Sequence, residues 1–493
     1  MVSEWSEAEL KGLKSFIKNN YTGVQSNSKH IKNGNVFVAI TGTALDGHCY
    51  IEDAIKRGAI AIVGEKEIKG LPVPYFKVLN ARKALGNLAA MFYQYPSENH
   101  SIIAITGTNG KTTTSFLIKH ILNFTGESCS LFGTVAHFVN GEKIRATNTT
   151  PDATILQKLL AESTDRFVVM EASSHGIDQH RLEGTSFDYA LFTNLSQDHL
   201  DYHDDLESYF NVKAQLFHLL KKNGEANIGS YSPWGCKLKD QLLSENKTVF
   251  SFGEKDSDDV QILGIDRLDP SIFHIKDRQK KYTLFSPLPG VHNIWNTMQA
   301  YLAGRRLGID PNEIINSLKT FQGVPGRFEQ YKHPSEATFI VDYAHTPEAL
   351  EYCLSTSKNV DKGKLVHIFG FRGKRDREKR SKMLQASIKY SDETIITLDD
   401  LNGEDVEEMS AQVYDLLKKY GNDRCKITFD RTKAIKRVWE EVKAGDIVLI
   451  TGKGHEQYER TFTLPSTSDR DTIMYLGGHN RADHLFSGYS AST

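Results

Sequence analysis

The sequence predicts an α/β protein of three successive domains with largely parallel sheets. A chain of 493 residues exceeds one ordinary hydrophobic core, so two to four domains are expected. Short apolar runs alternate with segments of helical spacing, a pattern typical of doubly wound parallel sheets. Turn residues cluster in YQYPSENH (93–100) and GVPGRFEQYKHPS (323–335). We therefore place the domains at residues 1–98, 99–328 and 329–493.

Each block contains its own strand candidates. In the first block these are VFVAI (36–40) and AIAIVG (59–64). The second block opens with SIIAIT (101–106), which leads through a glycine loop into the helical pattern TTSFLIKHILNF, so we expect a P-loop-type doubly wound domain. It continues with FVVMEAS (167–173) and YALFTNLS (189–196). The third block is expected to be Rossmann-like, with strands in TFIVDYAH (338–345), KLVHIFGF (364–371), ETIITLDD (393–400), KITF (426–429) and DIVLITGKG (446–454).

The composition limits the cell compartments and the classes of partner that are expected for this protein. Hydrophobic residues make up 39% and charged residues 25%, and the formal net charge is −2, which gives no electrostatic case for nucleic acid or a membrane surface. The five cysteines are widely spread without a CxxC pair, which favours a reducing cytoplasm over a disulfide framework or a zinc cluster. The polar start MVSEWSEAELKGLKSF lacks a signal-peptide core, and no apolar run approaches the ~20 residues of a membrane span. We expect a cytoplasmic monomer without membrane insertion.

The stretch TGTNGKTTT (106–114) predicts a phosphate-binding loop of unusual length. A Walker A motif would place its first glycine at Ile105, two positions before Gly107. Even so, glycines allow close backbone approach, and the following helix offers unpaired N–H groups and a positive dipole end. Lys111 supplies charge for the β- and γ-phosphates, and the Thr112 hydroxyl can ligate Mg²⁺. The residues expected at the nucleotide are Gly107, Thr108, Asn109, Gly110, Lys111, Thr112 and Thr113.

The shortened loop GTNGKT resembles that of the Mur ligases and folylpolyglutamate synthetases, which form amide bonds through acyl phosphates. Further segments follow in the order of one branch, the MurE type, whose members add an amino acid to UDP-N-acetylmuramoyl-dipeptide in peptidoglycan synthesis. The N-terminal segment SNSKHIKNGNVFVAITGTALDGHCYIEDAIKRGA resembles the UDP-binding domain of that branch. The other matching segments are NTTPD (148–152), MEASSHGIDQHRL (170–182), TNLSQDHLDYH (193–203), YFNVKAQLF (209–217), GVHNIWN (290–296), GRFE (326–329), VDYAHTPEAL (341–350) and GKGHEQY (452–458).

This resemblance covers essentially the whole chain and implies an ATP-dependent ligase for cell wall biogenesis. Its substrates would be UDP-N-acetylmuramoyl-dipeptide, an amino acid and ATP, with two Mg²⁺ ions. The γ-phosphate would move to the D-Glu carboxylate, and the incoming amine would then displace phosphate. Because ATP and amino-acid groups come from different domains, closure about the hinge at 323–335 is expected to complete the site.

Metal ligands are predicted at Glu171 and His199. Glu171 ends a predicted strand, at the sheet edge where α/β proteins bind ligands, and the resemblance assigns it to Mg²⁺. A simpler interpretation is a charge at a helix N-terminus. His199 and His203 are four residues apart, so on a helix they would share one face. The resemblance makes His199 a ligand of the second magnesium ion, whereas a capping or packing role suits His203 equally well.

Lys213 stands among apolar residues in YFNVKAQLF, where burial should lower its pKa. A neutral amine can react with CO₂ to give a carbamate, an anionic oxygen ligand for Mg²⁺. The resemblance implies this carbamylated lysine. The spacing alone favours a surface lysine whose stem lies along apolar surface.

Further site residues are implied by the resemblance. The uridine end would lie near Ser28, and Arg375 would face the carboxylate of the incoming amino acid. The rest of the basic run RGKRDREKR (372–380) is interpreted as a solvated helix face. The residues that would bind the rest of the UDP-muropeptide are Asn148, Thr149, Thr150, Ser174, Gln179 and Arg181. Those that would position ATP are Asn293, Arg327 and Asp342.

The amino-acid pocket departs from the family pattern. Relatives that add meso-diaminopimelate carry Asp-Asn-Pro-Arg, and lysine-adding relatives carry Asp-Asn-Pro-Ala. The matching residues here are Asp399-Asp400-Leu401-Asn402, without the arginine that grips a distal carboxylate. Asp400 and Glu456 bring negative charge that suits the distal ammonium of lysine or ornithine. However, Glu456 and Gly452 match residues that contact the far end of diaminopimelate. We therefore expect L-lysine or another amino acid that is not diaminopimelate.

Other functions stay open at this point. Asn27-Ser28-Lys29 replaces the family's Asp-Ser-Arg, and residues 227–230 also depart from its pattern, which leaves room for a paralogue with another acidic acceptor. A folylpolyglutamate synthetase would lack the N-terminal block. A P-loop NTPase switch is disfavoured by the missing glycine at position 105. A non-catalytic binding subunit would be expected to lose Lys111, Glu171, His199 or Lys213, and all four are present.

Overall fold

Three sheets follow one another along the chain, with four, eleven and six strands. Helices pack on the faces of these sheets, so the predicted three-domain α/β architecture is confirmed. No helix within the described part of the chain is long and apolar enough to cross a membrane. The N-terminal segment 1–15 lies outside the residues that the computed structural model describes, which are 16, 21–42, 45–267, 269–358 and 363–478.

The N-terminal sheet is parallel throughout and has the order β1-β2-β3-β4. It contains both strands predicted for this block. Strand β2 is buried on both faces, since Val36 and Val38 belong to one apolar cluster and Phe37 and Ala39 to another. The elements are β1 (Gly23–Gln25), β2 (Asn35–Ala39), α1 (Ile51–Lys56), β3 (Ala61–Gly64), β4 (Tyr75–Lys77) and α2 (Ala81–Phe92).

The central sheet has a parallel core, with antiparallel hairpins added at both edges. Its strand order is β15-β14-β13-β12-β11-β10-β5-β9-β6-β7-β8. The strands are β5 (Ser101–Thr106), β6 (Cys129–Phe132), β7 (His137–Val139), β8 (Glu142–Ile144), β9 (Phe167–Glu171), β10 (Phe187–Phe192), β11 (Leu220–Gly229), β12 (Thr248–Gly253), β13 (Val260–Ile265), β14 (Ile272–Asp277) and β15 (Lys280–Phe285). The helices are α3 (Lys111–Phe124), α4 (Ala153–Glu162), α5 (Ser174–Asp178), α6 (Leu206–Ala214), α7 (Pro233–Ser244), α8 (Val291–Arg306) and α9 (Pro311–Lys319).

Strand β5 positions the functional loops of the central domain. Ile102 and Ala104 face one apolar cluster and Ile103 and Ile105 the other, so both faces of the strand are covered. β5 pairs with β9 on one side and with β10 on the other. The order in which strands are added to the sheet therefore reverses at β5. Ligands of open α/β sheets bind at such a switch point, beyond the carboxyl ends of the strands. The loops after β5, β9 and β10 meet there.

The C-terminal sheet has the order β16-β17-β21-β18-β19-β20 and is parallel except for the edge strand β16. All five strands predicted for this block are present. The strands are β16 (Glu329–Lys332), β17 (Thr338–Asp342), β18 (Leu365–Phe371), β19 (Glu393–Leu398), β20 (Cys425–Ile427) and β21 (Ile447–Thr451). The helices are α10 (Pro347–Lys358), α11 (Glu378–Tyr390), α12 (Val406–Tyr420), α13 (Arg431–Glu441) and α14 (Asp469–Leu476).

One buried ion pair joins three elements of the C-terminal domain. The Arg431 guanidinium at the start of α13 donates to both carboxylate oxygens of Asp469 on α14, at 2.6 and 2.7 Å. It also donates to the Thr451 carbonyl at the end of β21, at 2.8 Å. Both charged side chains are fully buried. Removal of one partner would leave the other charge without compensation.

We predict that Asp469→Ala lowers the unfolding free energy of the C-terminal domain by about 3–5 kcal/mol, because it leaves the buried Arg431 guanidinium without its carboxylate partner. Urea unfolding followed by circular dichroism measures the change. Glu440→Ala is the control, since it breaks an exposed pair with Lys436 of the same helix. Equal effects of the two substitutions would contradict the prediction.

Candidate active site

The phosphate loop connects β5 to α3 and depends on two glycines with positive φ. Gly107 has φ +145° and Gly110 has φ +88°. A Cβ at Gly107 would lie 1.9 Å from the Thr193 hydroxyl, and one at Gly110 would lie 2.2 Å from the Asn296 side-chain oxygen. Both positions therefore require glycine for their conformation and for close packing against neighbouring elements.

Lys111 begins α3 and folds its side chain back over the loop. Its Nζ donates to the carbonyls of Gly107 and Thr108 at 2.8 and 2.9 Å. Burial lowers the pKa of Lys111, while the negative charges of Glu171 and Asp198 oppose that change. A phosphate group bound at the loop would supply the negative charge that a buried ammonium favours.

Glu171 is the last residue of β9 and is fully buried. Its Oε1 accepts from the Thr134 backbone N–H at 3.0 Å, and its Oε2 accepts from the hydroxyls of Thr134 and Thr112 at 2.9 and 3.0 Å. Helix α5 begins at Ser174, so Glu171 does not belong to the first turn of that helix. The carboxylate instead lies beside the first turn of α3.

The donor set around Glu171 fits a magnesium ion bound together with phosphates. A carboxylate and the Thr112 hydroxyl are hard oxygen ligands 3.0 Å apart. Among the described residues, no group of three His, Cys, Asp or Glu side chains could hold a metal ion. Mg²⁺ is commonly held by one or two carboxylates, with phosphate oxygens and water completing its shell. This is the kind of site that Thr112 and Glu171 offer.

His199 and His203 lie in a turn, so the expectation of a shared helical face is wrong. His199 has φ +56°, and the His203 N–H donates to the His199 carbonyl at 2.9 Å. The His199 ring lines a cavity between the central and C-terminal domains, and its Nε2 lies 3.4 Å from the Asp198 carboxylate. Burial lowers the pKa of His199 to about 3, so its imidazole is neutral near pH 7 and has a lone pair for a metal. His203 stacks on Tyr209, as a packing residue would.

Lys213 lies on α6 and is 1% exposed, so the surface-lysine interpretation is wrong. Its Nζ donates to the Gly107 carbonyl at 2.9 Å and lies 4.3 Å from the centre of the Tyr209 ring. Burial lowers the pKa of Lys213 well below its ordinary value, and the nearby charge of Lys111 lowers it further. The amine is therefore neutral at lower pH than that of an exposed lysine.

Most residues expected to bind the muropeptide belong to a hydrogen-bond network that includes Glu171. The Thr134 and Thr149 hydroxyls lie within hydrogen-bond distance at 3.1 Å, and the Thr150 hydroxyl donates to the Glu171 carbonyl at 2.9 Å. Arg181 donates to the Thr150 carbonyl and to the Gln179 side chain, both at 2.9 Å. Asn148 is half-buried at the start of this segment, and Ser174 is buried in α5. Ser28 belongs to the N-terminal domain, where it contacts Asp53.

Arg327 connects the hinge to the phosphate loop. Its Nη2 donates to the Thr112 hydroxyl at 3.1 Å, and its guanidinium lies 4.3 Å from the centre of the Tyr343 ring. The Asp342 carboxylate accepts from the backbone N–H groups of Phe328 and Ala344, both at 2.7 Å. Asp342 thus fixes the chain next to Arg327 at the end of β17. Asn293, at the start of α8, lines the same cavity.

A cavity of about 660 Å³ lies between the central and C-terminal domains. Contacts between these two domains include Lys379 to Asp198 and Gln197 to Asp376, both at 3.2 Å. Lys379 is buried, so the expectation of a fully solvated basic run is wrong. The predicted residues that line the cavity are Thr108, Asn109, Gly110, Lys111, Thr112, Thr113, Thr149, Glu171, His199, Asn293, Arg327, Asp342 and Arg375.

The residues predicted to read the amino-acid side chain are paired mostly with the chain's own groups. Asp400 pairs with Lys453, and Arg372 pairs with Glu456 and donates to the Gly452 carbonyl. Asp399 accepts from the Asp400 backbone N–H at 2.7 Å, and the Asn402 amide donates to the Gly373 carbonyl at 3.0 Å. The acidic groups at 400 and 456 are therefore already compensated.

Sequence reasoning missed several cavity residues, including Asp198, Tyr343 and Arg372. A signal existed for two of them. Tyr343 directly follows β17 and Arg372 directly follows β18, and the carboxyl ends of parallel strands are where ligands of α/β sheets bind. Asp198 offered no such signal, because it lies within an irregular loop after β10.

Three family models match this chain in succession. They are described as "Mur ligase family, catalytic domain" over residues 20–93, "Mur ligase middle domain" over 105–304, and "Mur ligase, glutamate ligase domain" over 326–454. Curated relatives named UDP-N-acetylmuramoyl-L-alanyl-D-glutamate–2,6-diaminopimelate ligase match from Aquifex aeolicus, with 42% identity over 90% of this chain and 91% of that protein, and from Syntrophomonas wolfei, with 36% identity over 89% and 90%.

Solved structures agree with these relatives. A structure with the same ligase name has 31% identity and a TM-score of 0.67, covering 94% of this chain and 95% of the other. A folylpolyglutamate synthase from Mycobacterium tuberculosis, at 17% identity, TM-score 0.62, and 81% and 95% coverage, shares the fold. The three α/β domains, the phosphate-loop cavity between the second and the third of them, and these relatives together define the class of ATP-dependent amino-acid ligases. Within that class, the chain belongs to the Mur ligase family.

We predict that Arg327→Met raises the KM for ATP about ten- to hundredfold, because it removes a charge-assisted contact next to Thr112. Steady-state ATP titrations measure the change. Arg470→Met is the matched control, since Arg470 makes only a loose surface pair with Glu329 at 3.8 Å. Similar KM values for the two variants would contradict a role of Arg327 at the nucleotide.

Proposed function

We propose that this protein joins an amino acid to the D-Glu carboxylate of UDP-N-acetylmuramoyl-L-Ala-D-Glu, as the third residue of the peptidoglycan stem peptide. The N-terminal domain (1–98) would hold the UDP end, the central domain (99–328) ATP, and the C-terminal domain (329–493) the amino acid. The observation that carries this proposal is the cavity itself. It is lined together by Lys111, Thr112, Glu171, Arg327 and Arg375.

The reaction proceeds in two steps. First, a carboxylate oxygen of the acceptor attacks the γ-phosphorus of ATP, the bond to the ADP oxygen breaks, and an acyl phosphate forms. Second, the amine nitrogen of the amino acid attacks the acyl carbon. The tetrahedral intermediate then loses a proton from nitrogen, and the carbon–oxygen bond to phosphate breaks. The products are the amide, ADP and phosphate.

The described side chains suit these steps without a covalent nucleophile. Lys111 and Arg327 bring positive charge to the phosphates, and preorganised charge of this kind is the main source of catalysis in phosphoryl transfer. Thr112, Glu171 and His199 would hold Mg²⁺, which neutralises phosphate charge when bound. Arg375 would orient the amino acid through its α-carboxylate. Contacts across the cavity, such as Lys379 to Asp198, would keep water out during transfer.

We further propose that the amino acid is not diaminopimelate. A distal carboxylate needs a cationic reader, and position 402 holds an asparagine whose amide already donates to the Gly373 carbonyl. The curated relatives are named for 2,6-diaminopimelate, so this amino acid is the second candidate. L-Lysine and neutral amino acids complete the set to be compared.

The test is phosphate release with ATP, Mg²⁺ and UDP-N-acetylmuramoyl-L-Ala-D-Glu across a panel of amino acids. We expect turnover with at least one of L-lysine, L-ornithine and neutral amino acids, at a kcat/KM at least tenfold above that for meso-diaminopimelate. Lys111→Met serves as the inactive control. Absence of turnover across the panel, with ATP still bound, would refute the proposed acceptor and favour a different acidic acceptor.

Lys213 is proposed to act as a carbamate. Burial next to the phosphate loop lowers the pKa of its amine and so favours the neutral form, which is the one that reacts with CO₂. We expect activity to fall after exhaustive removal of CO₂ and bicarbonate, and to return when bicarbonate is added. Labelling with ¹³C-bicarbonate should give a carbamate NMR signal in the wild type that is absent from Lys213→Met. Full activity without CO₂, together with no carbamate signal, would contradict the proposal.

A further inference from the structure

Arg372 occupies an unexpected place in the cavity wall. It follows β18 directly and is nearly buried, but it still lines the cavity together with Tyr343 and Arg375. Its Nη2 donates to the Gly452 carbonyl at 2.8 Å and pairs with the Glu456 carboxylate. Its guanidinium lies 5.2 Å from the centre of the Tyr343 ring. A cation of the chain is thus fixed at the wall where the amino acid would bind.

The partners of Arg372 are those that a substrate ammonium would seek. A carbonyl oxygen, a carboxylate and an aromatic face together stabilise a buried positive charge. Glu456 is held on its other side as well, because the Tyr343 hydroxyl donates to its Oε1 at 3.0 Å. Burial alone would lower the pKa of Arg372, but Tyr343 and the carboxylates of Asp399, Glu456 and Asp400 raise it well above its ordinary value, so the guanidinium stays charged. A second cation at this position would be repelled by Arg372, and the Gly452 carbonyl and the Glu456 carboxylate already accept from Arg372.

The other carboxylates of this wall are not free for a substrate cation. Asp400 pairs with Lys453, whose ammonium is 1% exposed. Asp399 is buried, and a Cβ on Gly452 would lie 2.6 Å from its Oδ2, so the Gly452 backbone covers that oxygen. The described acidic residues next to Arg372 are Glu456, Asp400 and Asp399. Glu456 and Asp400 are paired, and Asp399, whose Oδ2 has no hydrogen-bond partner, is buried. A distal ammonium at Arg372 therefore has no accessible carboxylate among these three that is free of a cationic partner.

We propose that Arg372 is a specificity-determining residue, which takes the place of a substrate's distal ammonium and selects an amino acid with an uncharged side chain. This inference rests on the proposed function, in which an amino acid binds next to Arg375. A cationic side chain is rejected because Arg372 holds its acceptors. A side chain with a distal carboxylate is rejected because Glu456 neutralises Arg372 and position 402 supplies no cation.

The test compares kcat/KM for L-alanine, L-serine, L-lysine and meso-diaminopimelate, measured by phosphate release with ATP and UDP-N-acetylmuramoyl-L-Ala-D-Glu. In the wild type we expect L-alanine or L-serine to be preferred. Arg372→Met keeps an unbranched apolar stem but frees Glu456 and the Gly452 carbonyl. It should raise the lysine-to-alanine ratio of kcat/KM about ten- to hundredfold, the effect of gaining one charge-assisted contact. Arg372→Lys, which restores a cation, should keep the wild-type preference.

Arg377→Met is the matched control, because it removes an exposed arginine of the same segment, whose partners are the buried Glu404 and the exposed Glu408. Its amino-acid preference should equal that of the wild type. Wild-type preference for L-lysine or meso-diaminopimelate would overturn this inference alone, even if Arg372→Met failed to fold. An unchanged lysine-to-alanine ratio of kcat/KM in an Arg372→Met variant that folds and binds ATP normally would also overturn it. Absence of phosphate release with every amino acid would overturn the proposed function, and this inference with it.

Discussion

Two lysine side chains converge on one backbone carbonyl, and the site is organised around that contact. The Gly107 carbonyl accepts from Lys111 at 2.8 Å and from Lys213 at 2.9 Å. Burial lowers the pKa of both amines, and the charge of Lys111 lowers that of Lys213 further. Such an arrangement is most stable when an anion arrives. A nucleotide phosphate would meet this requirement for Lys111, and a carbamate would meet it for Lys213.

The C-terminal domain completes the site through contacts that depend on charge. Arg327 reaches the Thr112 hydroxyl from the hinge, and Lys379 reaches Asp198 from α11. Burial alone would raise the pKa of Asp198, but His199 in its protonated form, the Lys379 ammonium and His345 lower it well below its ordinary value. Asp198 therefore stays ionised at neutral pH and holds the two domains together. Closure of the C-terminal domain onto the central domain therefore depends on the negative charge of Asp198.

Sequence patterns predicted the parallel strands, the phosphate loop and the position of Glu171 at a strand end, because each depends on local spacing. They did not predict the hairpins at the edges of the central sheet, which form only when that sheet offers free edges. The turn at His199 was missed for a similar reason, since its positive φ depends on tertiary contacts. Pairings such as Arg372 with Glu456 join residues 84 positions apart, and no local pattern reports them.

The edge hairpins also bear on how the protein stays in solution. An eleven-stranded sheet ends in backbone groups that could pair with the sheet of another molecule. Here the last strand on one side, β8, is a three-residue strand, Glu142-Lys143-Ile144, that is exposed throughout. On the other side, β15 starts with Lys280 and Lys281, both exposed. Short length and lysine charge oppose edge-to-edge association, so these hairpins protect a wide sheet from aggregation.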